Sequence, residues 1–407
     1  MIILAIDRRK NPGQMSVAWG SIIMPFRTLS PQAAVMAAFF LQSFSIGGWY
    51  VRVGDVQLAL GLTADELGIA LMGTAIGALL TFPFGPAAVE RFGPKPLLLG
   101  AIPLSALGSA LAAQTGSAWG LFVALALVGL GHGFATIATN VEADRVELML
   151  GRRIMSTCHG VWSLGFVAST LFGLAARTLA VSPAVHLWLA LLITVILALV
   201  IVVPMTPAPP RPHKRTAERR PRIAAPTKPI LLLILFCQGS NFVEGGAFAW
   251  SIIYFRDSFD APVWLETLAL PMFLFATAIG RLMTDRWVEE YGARRVAAFV
   301  SAFAAIGLLP VWWAGSLPLA LIGFIAIGFG MAPIFPLTIS AAARTGGRPA
   351  SENVASLSVI QRTISLMVPV VIGIVAARWG IAAAFGAMLP WPLLSIALSR
   401  YLEPRAK

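Results

Sequence analysis

Twelve long runs of apolar residues, almost free of charge, follow one another along this chain. About 20 residues of helix cross the ~30 Å core of a bilayer, so runs of this length predict membrane-spanning helices. Of the 407 residues, 58% are hydrophobic and only 12% are charged. The spans are expected near residues 31–52, 67–89, 96–113, 119–141, 154–176, 184–203, 230–254, 265–287, 295–313, 318–341, 355–377 and 381–400. The sequence therefore predicts an all-α integral membrane protein with about twelve transmembrane helices.

A basic, proline-rich segment at residues 204–229 separates six spans from six. A segment so polar and so rich in proline neither continues a helix nor enters lipid. A short repeat supports the division, because Thr74-Ala75-Ile76-Gly77-x-Leu79 recurs as Thr277-Ala278-Ile279-Gly280-x-Leu282 in the second span of each half. The predicted parts are an N-terminal tail 1–30, a six-helix half 31–203, a linker 204–229, a six-helix half 230–400 and a C-terminal tail 401–407.

The net charge of +12 would suggest nucleic acid as a partner of a soluble protein, but the position of the basic residues argues otherwise. If the N-terminus is cytoplasmic, Arg52, Arg177, Arg256 and Arg378 fall on the opposite side and Arg362 alone lies inside a helix. All other Lys and Arg residues fall on cytoplasmic segments or helix ends, as the positive-inside rule requires. We expect a bacterial-type inner membrane protein with both termini cytoplasmic, anionic lipids against its basic linker, and no nucleic-acid partner.

A charged loop follows the second span of each half. The loop of the first half reads Glu90-Arg91-Phe92-Gly93-Pro94-Lys95, and the corresponding loop of the second half reads Glu289-Glu290-Tyr291-Gly292-Ala293-Arg294-Arg295. This pattern resembles the signature loop of the major facilitator superfamily, which implies two six-helix halves. The resemblance also implies that a set of charged residues latches the cytoplasmic helix ends together in one conformation. That set is Glu90, Arg91, Lys95, Asp285, Arg294 and Arg295. The alternative is that these charges only set the topology.

A narrower resemblance covers the fourth and fifth spans. Asn140 is followed by Gly151-Arg152-Arg153-Ile154-Met155-Ser156-Thr157-Cys158-His159-Gly160-Val161-Trp162-Ser163-Leu164-Gly165. This run is similar to the MosC/YbjJ branch of the superfamily, the branch of a rhizopine transporter, and Gly48-Trp49 with Arg52 in the first span agrees with it. The resemblance implies a sugar-like or polyol-like solute.

Glu244 lies close to the middle of the seventh span. A charge at the bilayer centre costs at least ~2.5–3.5 kcal/mol on insertion scales, so such a residue indicates a functional site. Gln238 and Asn241 precede it at three-residue spacing, which puts the three polar groups close to one helical face. We predict that Glu244 carries a coupled proton or hydrogen-bonds the solute. The alternative is a protonated Glu244 that only hydrogen-bonds a neighbouring helix.

Further candidates for the site are polar or aromatic groups in the first half. His132 lies mid-span among glycines, which suits either solute binding or tight packing. His159 and Trp162 are one turn apart and are expected to line a cavity. Gln42 and Trp49 are two turns apart in the first span, where they suit a cavity wall, although Trp49 also suits an interfacial anchor.

Arg362 is predicted to be the one arginine inside a span, and an unpaired guanidinium there is unfavourable. Its candidate partners are Glu142, Asp144, Glu352 or an anionic group on the solute. The alternative is an arginine that extends to the membrane surface and has no part in transport.

The predicted function is a secondary active transporter that moves a small polar solute by alternating access, coupled to protons. The alternative is a proton-driven exporter of drugs or metabolites, although the fifth span lacks the Gly-x-x-x-Gly-Pro-x-x-Gly-Gly pattern of drug antiporters. Motifs of zinc proteases, serine hydrolases and phosphate-binding loops are absent, so we predict no enzyme, no cofactor and no metal. We also expect a monomer.

Overall fold

The computed structural model describes residues 29–152, 154–209, 225–348 and 350–403, and the side chains of all of these except Ser156, Asp285 and Ser351. Within these residues the chain is helical and contains no strand. The helices are α1 Pro31–Leu60, α2 Ala64–Leu80, α3 Gly85–Phe92, α4 Pro94–Ala112, α5 Ala118–Leu150, α6 Met155–Thr178, α7 Pro183–Val202, α8 Lys228–Gly239, α9 Gly245–Ser258, α10 Val263–Tyr291, α11 Ala293–Trp313, α12 Leu317–Met331, α13 Ile334–Arg344, α14 Ala350–Trp379, α15 Ile381–Gly386 and α16 Pro390–Leu398.

The predicted spans are confirmed. In the described chain, eleven helical segments are long and apolar enough to cross a membrane, and α2 with α3 makes a twelfth if this pair, bent by 53°, is one span. Pro83 and Pro86 lie at the bend, where proline removes backbone donors and interrupts the helix. α8 and α9 form one span through a π-helical turn at Ser240–Glu244.

The sequence repeat corresponds to equivalent packing in the two halves. α2 packs on α5 and α10 packs on α12, so the second span contacts the fourth in each half. Gly77 lies against the backbone of Ala126 on α5, and Gly280 lies against the backbone of Phe329 on α12. A Cβ at either glycine would collide with a backbone carbonyl, which is the physical reason for a glycine at both places.

Successive spans alternate in direction, so their ends lie on two sides of the bundle. We define the linker side as the side of residues 203–209 and the far side as the side of residues 61–63 and 259–262. Within the described residues, every hydrogen bond and ion pair that joins the first half to the second lies on the far side. The structure is therefore a state closed on the far side.

A buried charge cluster makes this closure. The Arg177 guanidinium donates to Asp55 at 2.7 Å within the first half and to the Thr267 hydroxyl at 2.7 Å in the second. From the opposite direction, Arg256 donates to the Gly54 carbonyl at 3.0 Å and to the Gln57 side chain at 3.0 Å. Three of the four arginines predicted to lie on the far side, Arg52, Arg177 and Arg256, are thus buried or partly buried partners in a network, with Arg52 bound to Asp55 at 2.9 Å.

The start of the predicted linker packs onto the first half. Met205 and Ala208 are buried among apolar side chains, and the Ala208 amide donates to the Glu142 carboxylate at 2.7 Å. Residues 210–224, which carry most of the linker's basic residues, lie outside the described residues, as do 1–28 and 404–407 of the tails. The domain boundaries stay a prediction.

Candidate functional site

The π-helical turn in the seventh span divides its polar residues between two directions. Gln238 and Asn241 both donate to the Gln361 side-chain oxygen on α14, each at 2.7 Å. Glu244, at the end of the π-turn, lies apart from these amides and accepts from the Ser240 hydroxyl at 2.9 Å. A π-turn inserts an extra residue into the helix and so rotates the next turn about the helix axis, and such turns are frequent at functional sites.

Glu244 pairs with Arg281 of α10. Their closest side-chain oxygen and nitrogen atoms are 3.5 Å apart, and the two side chains are 13% and 34% exposed. The prediction that Arg362 is the one arginine inside a span is therefore wrong, because Arg281 lies within the span Val263–Thr284. Sequence reasoning missed Arg281, which occupies the variable position of the repeat Thr277-Ala278-Ile279-Gly280-x-Leu282.

The first half contributes imidazole and indole groups to the same boundary. The rings of His132 and Trp162 meet edge-on with their centroids 6.5 Å apart, so α5 and α6 bring these two candidates together. His159 is exposed, stacks edge-on against Phe39 at 5.2 Å, and lies within electrostatic reach of Arg281 in the second half. Trp162 and His159 also pack against the buried first-half cluster around Phe39, so these residues lie where the core of the first half meets the boundary.

Aromatic rings close the far-side end of this region. Trp162 packs on Phe166, whose ring lies 5.2 Å from that of Phe248 on α9. Tyr50 contacts both Phe166 and Phe248, and Phe248 contacts Phe273 of α10. Rings from four spans thus meet between the halves and separate the polar groups from the far-side charge cluster.

Arg362 faces the first half across the boundary. Its guanidinium carbon lies 4.6 Å from the centre of the Phe82 ring, a cation–π geometry. Its charge also reaches His132. Within the described residues Arg362 makes no ion pair, and its candidate partner Glu142 is wrong, because that carboxylate is buried against the Ala208 amide. Among the described side chains, neither Asp144 nor Glu352 forms an ion pair with it.

Gln42 and Trp49 lie elsewhere. Gln42 is 2% exposed and ties α1 to α5, since it donates to the Thr136 hydroxyl at 2.6 Å and accepts from Thr139 at 3.2 Å. Trp49 is also 2% exposed and belongs to the hydrophobic core. In this conformation both side chains are buried within the protein, and neither belongs to the candidate site.

The charged loops lie exposed on the linker side. Glu90, Arg91, Arg294 and Arg295 are exposed or nearly so, and Lys95 is partly buried. Among the described side chains none of these five forms an ion pair, although the backbone amide of Arg294 donates to the Glu403 carboxylate at 3.2 Å. The side chain of Asp285 lies outside the described part. The latch therefore stays a prediction, for a state other than this one.

We call the group of facing residues the central site. Its members are His132, His159, Trp162, Gln238, Asn241, Glu244, Arg281, Gln361 and Arg362. It combines one carboxylate, two guanidinium groups, amides and aromatic faces at the boundary of the two halves. Polar and ionisable groups are retained within a membrane where they face a partner, a substrate or a water-filled cavity. Such a set can bind a polar solute and change its own protonation.

Known proteins resemble the chain along most of its length. The profile of the Major Facilitator Superfamily matches residues 34–366. An uncharacterized transporter, y4wD of Sinorhizobium fredii, is 29% identical over 359 residues, covering 86% of this chain and 92% of that protein. The membrane protein MosC of Rhizobium meliloti is 25% identical over 357 residues, covering 86% and 85%.

Solved structures share the fold. A mutant form of the nucleoside transporter NupG superposes with a TM-score of 0.72 at 15% identity, covering 92% of this chain and 99% of that one. A D-xylose–proton symporter gives a TM-score of 0.68 at 13% identity, covering 92% and 98%. At this identity the likeness concerns the fold alone. The expected resemblance to MosC is confirmed, and the chain is a multi-pass membrane transporter, not an enzyme, that belongs to the Major Facilitator Superfamily.

Proposed function

We propose that this protein is a proton-coupled secondary transporter that moves a small sugar-like or polyol-like solute across a bacterial inner membrane by alternating access. One observation carries the proposal: the Glu244–Arg281 pair lies near the boundary of two halves whose hydrogen bonds and ion pairs to each other, in the described chain, all lie on the far side. With the linker side cytoplasmic, as the positive-inside rule indicates, this state opens inward. Two solved transporters of the same fold are named for a nucleoside and for D-xylose, both polar solutes.

Glu244 is proposed as the coupling residue. As a carboxylate it is held by Arg281, and as a neutral acid it releases that guanidinium. Protonation of Glu244 therefore changes the charge and the free hydrogen-bond donors that a solute meets in the central site. Binding is coupled to conformation when the solute's affinity differs between the two conformations. His132, His159 and Trp162 would contact the solute from the first half, and Asn241 and Gln238 from the second.

The opposite, outward-open state would need a closure on the linker side. We propose that the charged loops supply it, with Glu90, Arg91 and Lys95 in one half and Asp285, Arg294 and Arg295 in the other. The exposure of Glu90, Arg91, Arg294 and Arg295, and their lack of ion pairs among the described side chains, suit residues that are paired only in the other state. The protein would act as a monomer with both termini cytoplasmic and anionic lipids near its basic linker.

A ligand screen tests the proposed function. Purified protein is heated with inositols, sugars, sugar acids, amino acids and lipophilic cations, since a ligand of the folded state raises stability by RT ln(1 + [L]/Kd). A stabilising polyol, sugar or sugar acid is then supplied to proteoliposomes with and without a proton gradient. Gradient-driven accumulation supports the proposal. Stabilisation by lipophilic cations alone would contradict it and favour a drug exporter of the same fold.

A further inference from the structure

Arg362 is a charge without a counter-charge. Its side chain is exposed, and among the described residues its guanidinium makes a cation–π contact with the Phe82 ring at 4.6 Å and forms no ion pair. An arginine at this depth in a membrane is costly, so it is retained where it meets an anion, a backbone carbonyl or a water-filled cavity. A cation–π contact is weaker than a paired carboxylate, because the ring face carries only a partial negative charge.

The central site as a whole carries an excess of positive charge. It contains two guanidinium groups, Arg281 and Arg362, and a single carboxylate, Glu244, which pairs with Arg281. One of the acids that the sequence offered as a partner of Arg362, Glu142, instead accepts a hydrogen bond from the Ala208 amide. Among the described side chains, no other carboxylate forms an ion pair with either arginine of the site.

Two further polar atoms of the central site are buried without a partner among the described residues. They are Nδ1 of His132 on α5 and Nε2 of Gln361, which precedes Arg362 in α14 but is directed toward Gln238 and Asn241. A buried polar atom left without a hydrogen bond costs about 1–3 kcal/mol. Unpaired polar atoms and an unpaired guanidinium within one site suit a ligand that carries both an anionic group and hydroxyl groups.

We propose that the solute is a polyhydroxylated carboxylate, a sugar acid, whose carboxylate is bound by Arg362. The guanidinium is planar and offers paired donors that match a carboxylate, which a neutral polyol does not use. The inference rests on the proposed function and narrows its substrate class. Because Arg362 belongs to the second half while Phe82 and His132 belong to the first, a carboxylate bound there would contact both halves.

Matched ligands test this inference. Wild-type protein in nanodiscs of zwitterionic lipid is titrated with gluconate and with glucitol, which differ only in the carboxylate at one end, and with galacturonate and galactose. Where a matched pair binds, the acid is expected to bind at least ~10-fold more tightly than its neutral counterpart, because its carboxylate forms charge-assisted hydrogen bonds. Arg362→Gln should remove that preference, and Arg362→Lys should keep part of it. The control Arg378→Gln removes the same charge from the exposed far-side end of α14 and should leave the ratio unchanged.

The outcomes separate the two proposals. Equal or tighter binding of the neutral members overturns the sugar-acid inference and leaves the transport proposal standing. A preference for acids that survives Arg362→Gln overturns the role of Arg362. Stabilisation by added phosphatidylglycerol, dependent on Arg362 and without any response to the acids, would assign the guanidinium to a lipid headgroup and overturn the inference. If no solute of either kind binds or is transported, the proposed function fails as well.

Discussion

Arg177 and Thr267 are hydrogen-bonded across the boundary of the two halves, with 2.7 Å between the guanidinium nitrogen and the hydroxyl oxygen. The same guanidinium binds Asp55 at 2.7 Å and lies 3.6 Å from Glu266. Its side chain is 7% exposed, so these interactions are weakly screened by water. One arginine therefore holds together α1, α6 and α10 on the far side.

Loss of Arg177 should open the far side. Removing one partner of a buried ion pair costs on the order of 3–5 kcal/mol, because it leaves an uncompensated charge. The cost is expected to be smaller here, because Asp55 keeps Arg52 as a second partner. We expect Arg177→Gln to shift the conformational equilibrium toward the outward-open state by at least ~10-fold, equivalent to ~1.4 kcal/mol. Spin labels on cysteines placed at the exposed positions Gln114 and Trp313 would report a longer far-side distance by pulsed electron resonance.

A charge-matched variant serves as control for this measurement. Arg378→Gln removes an exposed arginine from the same side of the protein and should leave the label distance as in the unsubstituted protein. Both native cysteines, Cys158 and Cys237, are buried, so they should compete little with the introduced cysteines for the label. An unchanged distance distribution in Arg177→Gln would show that the cluster does not hold this side closed.

Glu244→Gln should uncouple transport from the proton gradient. The amide cannot bind and release a proton, so accumulation driven by a gradient should be lost while exchange of solute between the two sides continues. Uptake and counterflow into proteoliposomes measure the two activities separately. The exposed far-side acid Asp260 offers a control, since Asp260→Asn should preserve both. Accumulation by Glu244→Gln at the unsubstituted level would exclude Glu244 as the coupling residue.

The Glu244–Arg281 pair should contribute little to stability. Its atoms are 3.5 Å apart and the arginine side chain is 34% exposed, so a coupling of about 0.5–1 kcal/mol is expected. Thermal unfolding of Glu244→Gln, Arg281→Gln and the double variant measures that coupling as a double-mutant cycle. A coupling of several kcal/mol would instead identify the pair as a structural element of the fold, and would weaken its assignment to proton coupling.

Asp285→Asn should slow transport without weakening solute binding. If Asp285 pairs with basic residues of the charged loops only in the outward-open state, its neutralisation destabilises that state and lowers the rate of the cycle. The transport rate and the solute Kd are measured on the same preparation. A large loss of binding affinity would place Asp285 in or beside the central site, contrary to the latch proposal.

Gly129→Ala should destabilise the first half. A Cβ at this position would collide with the backbone carbonyl of Thr74, where α5 packs on α2. Overpacking of this kind costs about 1–3 kcal/mol, because two backbones have to separate. Gly100→Ala is the control, since no atom lies within 4 Å of its added Cβ. Comparable melting temperatures for the two variants would contradict the close packing of α2 and α5.

The sequence predicted the spans well because each depends on a local quantity. Whether a run of about 20 residues crosses a bilayer depends mainly on its own length and apolar composition, and little on the helices that surround it. The same holds for the repeat at Gly77 and Gly280, where small residues mark close helix contacts. The π-turn at Ser240–Glu244 was not predictable, since the flanking glycines suggest a bend but specify no extra residue.

What the sequence alone determined is the class of protein: its eleven or twelve spans, its two related halves and its family. Pairing of charges was decided only by the tertiary structure. Arg281 and Glu244 are 37 residues apart in the chain, and Arg177 and Asp55 are 122 apart. A single sequence cannot state which spans lie side by side or how each helix is rotated about its axis, and an ion pair depends on both. For the same reason the sequence did not predict that Arg362 contacts the Phe82 ring and none of the acids proposed as its partner.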